Sequence, residues 1–220
     1  MLGRAAVAMW WDVPPEVRAQ WEDWHSHEHM PERLAIPGFL RGTRWVAHSG
    51  EPSYFVLYET RDLKTMTSGA YLDRLNNPTP WSRKMMPHHR NMVRSLCRVR
   101  ASFGGGVAHA LATIRFSPAP GGRSAMKWLA TQWMPSLPQR KGLTSTSLLE
   151  SHSAAAVPPT AEQRIRGGDA QADCALLICG YDVEALKAAV AGELGKLEVD
   201  GRIEGFYSCA YSLTSKDLPK

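Results

Sequence analysis

Trp24-His25-Ser26-His27-Glu28-His29-Met30-Pro31-Glu32-Arg33-Leu34-Ala35-Ile36-Pro37-Gly38-Phe39 is the stretch on which the reading of this chain turns. It begins inside an amphipathic helix. Upstream, Pro14-Pro15 suits a first helical turn, and Val17, Trp21 and Trp24 recur at spacings of four and three, the helical period. Pro31 has no amide donor and disfavours a helical predecessor, so the helix is expected to stop at Met30-Pro31. Pro37-Gly38 then reads as a turn. Before the helix, residues 5–11 are a short apolar run that fits a buried strand.

Outward from this stretch, residues 40–48 read as a second strand, 50–53 as a hairpin connection and 54–59 as a third strand. Asp62 is placed to cap a second helix reaching about Asn76, and 92–103 read as a fourth strand. Residues 77–81, with two prolines, fit neither helix nor central strand. The order is β-α-β-β-α-β, the ferredoxin-like motif. After the Gly104-Gly105-Gly106 linker it starts again. Strands are expected at 107–116, 142–150, 173–179 and 203–213, a turn at 118–122, a helix to Trp133 and another opened by Asp182. The Ala-, Pro- and Gly-rich stretch 153–171 reads as a long mobile loop.

The two halves share residues as well as pattern. Met30-Pro31 and Met134-Pro135 stand 104 positions apart, and the same offset joins Trp24 to Trp128, Gly38 to Gly142 and His48-Ser49 to His152-Ser153. Internal duplication follows. The expected fold is α+β: two tandem ferredoxin-like repeats, residues 1–103 and 104–220, packed sheet to sheet as a pseudo-dimeric α/β barrel. Each repeat would cover the bare sheet face of the other.

The stretch 24–39 resembles a motif of dimeric α/β-barrel proteins, particularly the EthD-like members: an aromatic residue, then Glu-His, Pro-Glu-Arg and a Pro-Gly-Phe turn. Asn77-Pro78-Thr79-Pro80-Trp81-Ser82 is similar to a second segment of that group. In the second half only the aromatic-Met-Pro skeleton survives, with Gln132 in place of Glu28 and Trp133 in place of His29. The resemblance implies a ferredoxin-like fold and a cavity between the sheets. It implies no single reaction, since the superfamily spans cofactor-free monooxygenases, lactone isomerases, polyketide cyclases and haem proteins.

Composition bounds the rest. A 220-residue chain with 44% hydrophobic and 21% charged residues can bury a sizeable core. A net charge of +5 without any run of five basic residues argues against nucleic acid, even though Arg94, Arg98 and Arg100 share a strand face. Four scattered cysteines with no C-x-x-C pair read as reduced, packed thiols. With no signal-like or membrane-length apolar run, a cytoplasmic protein with no membrane partner is expected. Neither a Walker loop, a Rossmann fingerprint nor a Gly-x-Ser-x-Gly elbow is present.

The chemistry rests on His25, Glu28 and His29. On a regular wheel with Val17 at zero, Glu28 falls at about +20°, in the middle of the buried stripe, His25 at about +80° and His29 at about +120°. A carboxylate on an apolar face needs a partner. Glu28 is therefore expected either to assist a histidine that moves a proton or to pin the helix end through Arg33 or backbone amides. His25-x-x-Glu28-His29 also matches the string of inverted zinc peptidases, but Pro31 ends the helix and no third ligand is identified. His88-His89 reads either as a solvated pair or as a source of nitrogen ligands for a metal. Of the adjacent Trp10 and Trp11, one packs under the helices and the other faces the inter-sheet cavity.

The expectation is a cofactor-free enzyme, an oxygenase, isomerase or cyclase, with no metal and no bound organic cofactor. His25, Glu28 and His29 would act on a small hydrophobic or aromatic molecule in the inter-sheet cavity. Trp11, Arg33, Arg44, Tyr58, Asn77 and Trp81 would line the pocket. A non-catalytic ligand-binding or stress-response protein is the first alternative, and a metal or haem protein using the eight histidines is the second. The fused repeats remove the need for a homodimer and are compatible with a homo-oligomer.

Overall fold

β1 (Ala5–Asp12) is buried at every position, as are β3 (Tyr54–Thr60) and β7 (Cys174–Gly180). A strand covered on both faces has no polar side to show, so these segments are near-continuous apolar runs. The two coverings differ. Ala6, Ala8 and Trp10 join Phe55, Leu57, Leu111, Leu149, Leu177 and Tyr207 in one core, whereas Val7, Met9 and Trp11 join Trp21, Trp24, Met30 and Tyr58 in another. Adjacent Trp10 and Trp11 thus face opposite ways, as a strand requires.

The computed structural model describes residues 1–220 apart from 51, 120, 121, 153–157, 193, 195, 196, 198 and 220. The expected connections at 50–53 and 118–122, the start of the loop at 153–171 and the end of the last helix therefore lie partly outside the described residues.

With β2 (Phe39–Ala47), β4 (Arg90–Gly104), β5 (Ala110–Pro118), β6 (Leu143–Ser151) and β8 (Val199–Thr214), the strands close an antiparallel barrel in the order β1-β3-β2-β8-β5-β7-β6-β4. The first four strands run β4-β1-β3-β2 and the last four β8-β5-β7-β6, the same pairing in each half. Two hydrogen-bonded seams join them. Arg44 lies opposite Tyr211 across β2–β8, and Cys97 opposite Ser151 across β4–β6. Closure removes every free sheet edge, and eight strands enclose a space about as wide as the side chains that fill it.

Helices cover the outside. α1 (Arg18–Trp24) runs into a π-turn over His25–His29 and on into α2 (Met30–Leu34); α3 (Gly69–Asn76) and α4 (Pro80–Met85) follow. In the second half α5 (Arg123–Trp128) leads through a π-turn over Leu129–Trp133 to α6 (Met134–Ser136). α7 (Ala161–Arg166) stands between β6 and β7, and α8 (Val183–Ala191) between β7 and β8. The two π-turns, and β2 with β6, are each 104 residues apart.

Three local expectations are corrected. The first helix does not stop at Met30-Pro31: the Met30 amide bonds the His25 carbonyl five residues back, and the widened turn makes room for a proline ring that would press on a regular helix. The proline-rich segment 77–81 contains the start of α4, with Thr79 as its cap and Pro80 at the first helical position, where a missing amide costs nothing. The described part of 153–171 holds a helix, α7, opened by a capping box between Thr160 and Gln163.

Candidate functional site

The extra residue of the first π-turn sets the site. It turns everything after it back by about 100° relative to a regular helix, which brings His29 from the flank to the centre of the buried face and carries Glu28 off it. Accordingly His25 is 1% exposed and His29 8%, while Glu28 is half-buried. The carbonyl of Glu22, loosened by the turn, accepts from Ser26 Oγ at 2.7 Å and from Arg44 Nη1 at 3.1 Å.

Glu28 bonds neither His25 nor Arg33. Its Oε1 accepts from Trp24 Nε1 at 3.0 Å, Thr79 Oγ1 at 2.6 Å and Ser82 Oγ at 3.2 Å. The carboxylate thereby pins the start of α4 onto the first helix, and the two motif-like segments, 24–39 and 77–82, meet at this point. Trp81 packs half-buried on the same core. Asn77 is exposed and bonds back to Asp73 at the end of α3, away from the histidines.

The space between the helices and the outer face of the first-half sheet holds the polar cluster. Trp11 from β1, Arg44 from β2 and Tyr54 and Tyr58 from β3 face Trp21, Trp24, His25, His29 and Arg33 from the helices. Trp11 stacks near Tyr54, ring centroids 6.3 Å apart, and Trp21 lies 4.8 Å from His25. Gly42 leaves room for this packing, since a Cβ there would sit 2.9 Å from the Tyr58 ring and 3.0 Å from Met30. The Arg44 guanidinium lies between the Trp21 and Tyr211 rings, 5.8 and 5.7 Å from their centroids, and its Nη1 is 3.4 Å from His25 Nδ1. His25 and His29 rings are 5.5 Å apart.

This cluster is on the helix side of the sheet and not in the inter-sheet cavity, which corrects the expected location. The reason is strand alternation: Arg44 falls between Thr43 and Trp45, which point into the barrel, and Trp11 follows Trp10, which does the same. The barrel interior has a small pocket of its own, about 40 Å³, lined by Thr43, Trp45, Ser145 and Ser147 and by the Arg41–Glu59 ion pair. None of the expected site residues lines it.

His89 was not among the expected residues, because a His-His pair before a strand reads as solvated. It is 8% exposed, accepts from Trp21 Nε1 at 3.0 Å through Nε2 and donates from Nδ1 to the Met86 carbonyl at 3.1 Å. Those partners fix it as a neutral tautomer. Burial lowers the pKa of all three histidines well below the ordinary value; Arg44 adds to the effect at His25, Arg33 at His29 and Arg166 at His89. Burial also pushes the Tyr58 phenol up.

Six polar atoms in this space are buried without a hydrogen-bond partner: Trp11 Nε1, His25 Nε2, His29 Nδ1, Arg33 Nη1, Arg44 Nε and Tyr58 OH. Such atoms are rare in native proteins, and each costs roughly 1–3 kcal/mol. Trp11, Arg33 and Arg44 are pure donors, so the cluster is built to meet oxygen-rich, electron-rich groups. Among the described residues no three His, Cys, Asp or Glu side chains are placed to hold a metal ion, and no helix is long and apolar enough to cross a membrane.

The second half supplies a comparison within one molecule. At the offset of 104, Leu129, Trp133, Leu137 and Leu148 stand where the first half has His25, His29, Arg33 and Arg44, and all four belong to the second-half core. The same π-turn and strand are thus built without any of the four polar groups.

No protein-family model matches the chain, and no curated protein does. Solved structures match along almost its whole length. An anthrone oxidase-like protein gives a TM-score of 0.66 at 10% identity, covering 97% of this chain and 94% of that one. A Fusobacterium nucleatum protein designated a monooxygenase gives 0.60 at 8% identity, covering 97% and 96%. A chlorite dismutase mutant from Candidatus Nitrospira defluvii gives 0.53 at 9%, covering 96% and 93%. At such identities the likeness shows a shared fold: the α+β barrel with helices outside.

Proposed function

We propose that the chain is a tandem pair of ferredoxin-like repeats forming a pseudo-dimeric barrel, in which residues 1–103 carry a small-molecule active site and 104–220 act as its scaffold. The reading is carried by the six orphaned polar atoms gathered between the first-half helices and sheet. The second repeat supports it, because a fold that closes equally well over Leu129, Trp133, Leu137 and Leu148 has no structural need of buried His and Arg.

The activity is cofactor-free acid–base chemistry on a small aromatic or enolisable substrate. Two neutral histidines divide the work. Arg44 donates to His25 Nδ1, which leaves the His25 proton on Nε2 as a hydrogen-bond donor. His29 Nδ1 has no partner and is the base. It takes a proton from an acidic C–H or phenol, and the oxygen that gains charge is met by donors already in place: Trp11 Nε1, Arg44 Nε and the Tyr58 hydroxyl. The resulting enolate is the shared first stage of isomerisation, cyclisation and oxygenation. Glu28 holds α4 against the helix and acts through position alone, and Trp81 anchors the same corner.

The anthrone oxidase-like neighbour suggests the first substrate to try. Wild-type protein should speed deuterium exchange at the acidic methylene of anthrone, followed by NMR, and His29→Ala should lose 100-fold or more of that acceleration while keeping its circular dichroism spectrum. Equal exchange by wild type and His29→Ala would overturn the assignment.

A further inference from the structure

The two halves differ most between their third and fourth elements of sheet and turn: six residues (48–53) connect β2 to β3, but twenty-two (152–173) connect β6 to β7. The described part of the long connection crosses to the first half. Ala161 N donates to Asn76 Oδ1 at 3.1 Å, Arg94 N to the Ala170 carbonyl at 2.8 Å, and Ala170 N to the Met92 carbonyl at 2.9 Å. Ser95 Oγ donates to the Ala172 carbonyl at 3.0 Å, and Ile165 packs into the first-half core. An insertion in the scaffold repeat is spent on covering the other repeat's polar site.

At its centre Glu162 meets Arg33 in an ion pair whose two side chains are each 4% exposed, with Arg166 3.6 Å from the second carboxylate oxygen. Arg33 uses Nη2 for this contact, and its Nη1 has no partner. Tyr58 OH and His29 Nδ1, both orphaned, belong to the same cluster. A guanidinium ordinarily holds a carboxylate through two parallel bonds. Here a carboxylate arriving on a six-residue helix engages Nη2 and leaves Nη1 without a partner.

We propose that Arg33 and Tyr58 form a carboxylate-recognition subsite for an anionic substrate, which Glu162 fills in the resting protein and which the substrate's own carboxylate takes over as α7 lifts away. The proposal rests on the site reading given above and names the substrate class for it. A substrate carboxylate that takes the fork bidentately, through both Nη1 and Nη2, removes the one arm that holds Glu162, so Glu162 moves out into water. α7 is far too short to hold its helical form undocked, so displacement of Glu162 loosens the whole covering segment. Exchange of carboxylate for carboxylate is close to neutral at Arg33, and the bonds gained by the orphaned donors drive it.

The test uses benzoate, with benzamide as its neutral match, read by tryptophan fluorescence and by amide hydrogen exchange over residues 160–172. Benzoate should bind wild type at least tenfold more tightly than benzamide and speed exchange over 160–172. E162Q should gain a further tenfold or more for benzoate, and E162Q/R33M should lose it. Equal binding of the two probes, unchanged benzoate affinity in E162Q, or unmoved exchange over 160–172 would each overturn the proposal. Should E162Q fail to fold, the wild-type exchange measurement decides alone. Anthrone exchange run on the same proteins separates the two readings: His29-dependent exchange without benzoate preference removes the subsite and leaves the acid–base assignment standing, and loss of both in folded protein removes both.

Discussion

His25, His29 and His89 are kept neutral by burial, which couples the site to pH in a definite direction. Their folded pKa values lie below the free value of about 6.5. Between the two values the unfolded chain binds protons that the folded chain refuses, so stability is complete above about pH 6.5 and falls as the pH drops. The loss is up to about 1.4 kcal/mol per pH unit for each histidine. Thermal unfolding from pH 8 to pH 5 should therefore show a falling Tm below pH 6.5, and a flat profile, or a rise toward pH 5, would contradict this account. At this scale the sequence made His25, His29, Arg33 and Arg44 visible as chemistry-bearing types. It misplaced Glu28, because a wheel drawn at 100° per residue has no means of showing a π-turn. It missed His89, whose burial depends on Trp21 arriving from a helix 68 residues away.

Among the elements, the strands were the easiest to read, since β1 and β3 are covered on both faces and announce themselves as apolar runs. The helical turns were harder. Pro31 and Pro80 both suggested breaks, yet one is absorbed by a π-turn and the other sits at a helix start. α7 was hidden because its stability comes from docking on distant partners and not from local composition: Glu162 is held by Arg33 and Ala161 by Asn76. Its capping box is the one local signal. Thr160→Ala removes the cap at Gln163 N and should weaken docking by about 1 kcal/mol. That is roughly a fivefold faster exchange of the amides at 160–166, with the barrel strands unchanged. Uniformly faster exchange across the strands would mean that α7 belongs to the global fold and not to a separately opening segment.

For the whole molecule, the two seams β2–β8 and β4–β6 make each half the edge cover of the other. Cut at Gly105, the halves should be insoluble or poorly folded alone and should reassemble one to one when expressed together; a well-folded first half by itself would show that closure is dispensable. The order of strands and helices along each half was legible as β-α-β-β-α-β, but the hydrogen-bonded seams β2–β8 and β4–β6 that close the barrel were not, since two sheets were expected face to face. Which layer holds the site was not, because the polar residues alternate with equally buried interior ones and only the closed barrel tells outside from inside. The central claim is that the buried His and Arg side chains serve a ligand and not the fold. The most direct test is the unfolding free energy of the double variant His25→Leu, Arg44→Leu, which gives the first half the residues that the second half carries at these positions. The account predicts a value within about 1 kcal/mol of wild type, or higher, as happens when buried charges give way to well-packed apolar groups. A loss of about 3 kcal/mol or more would show that these groups hold the barrel together, and would contradict it.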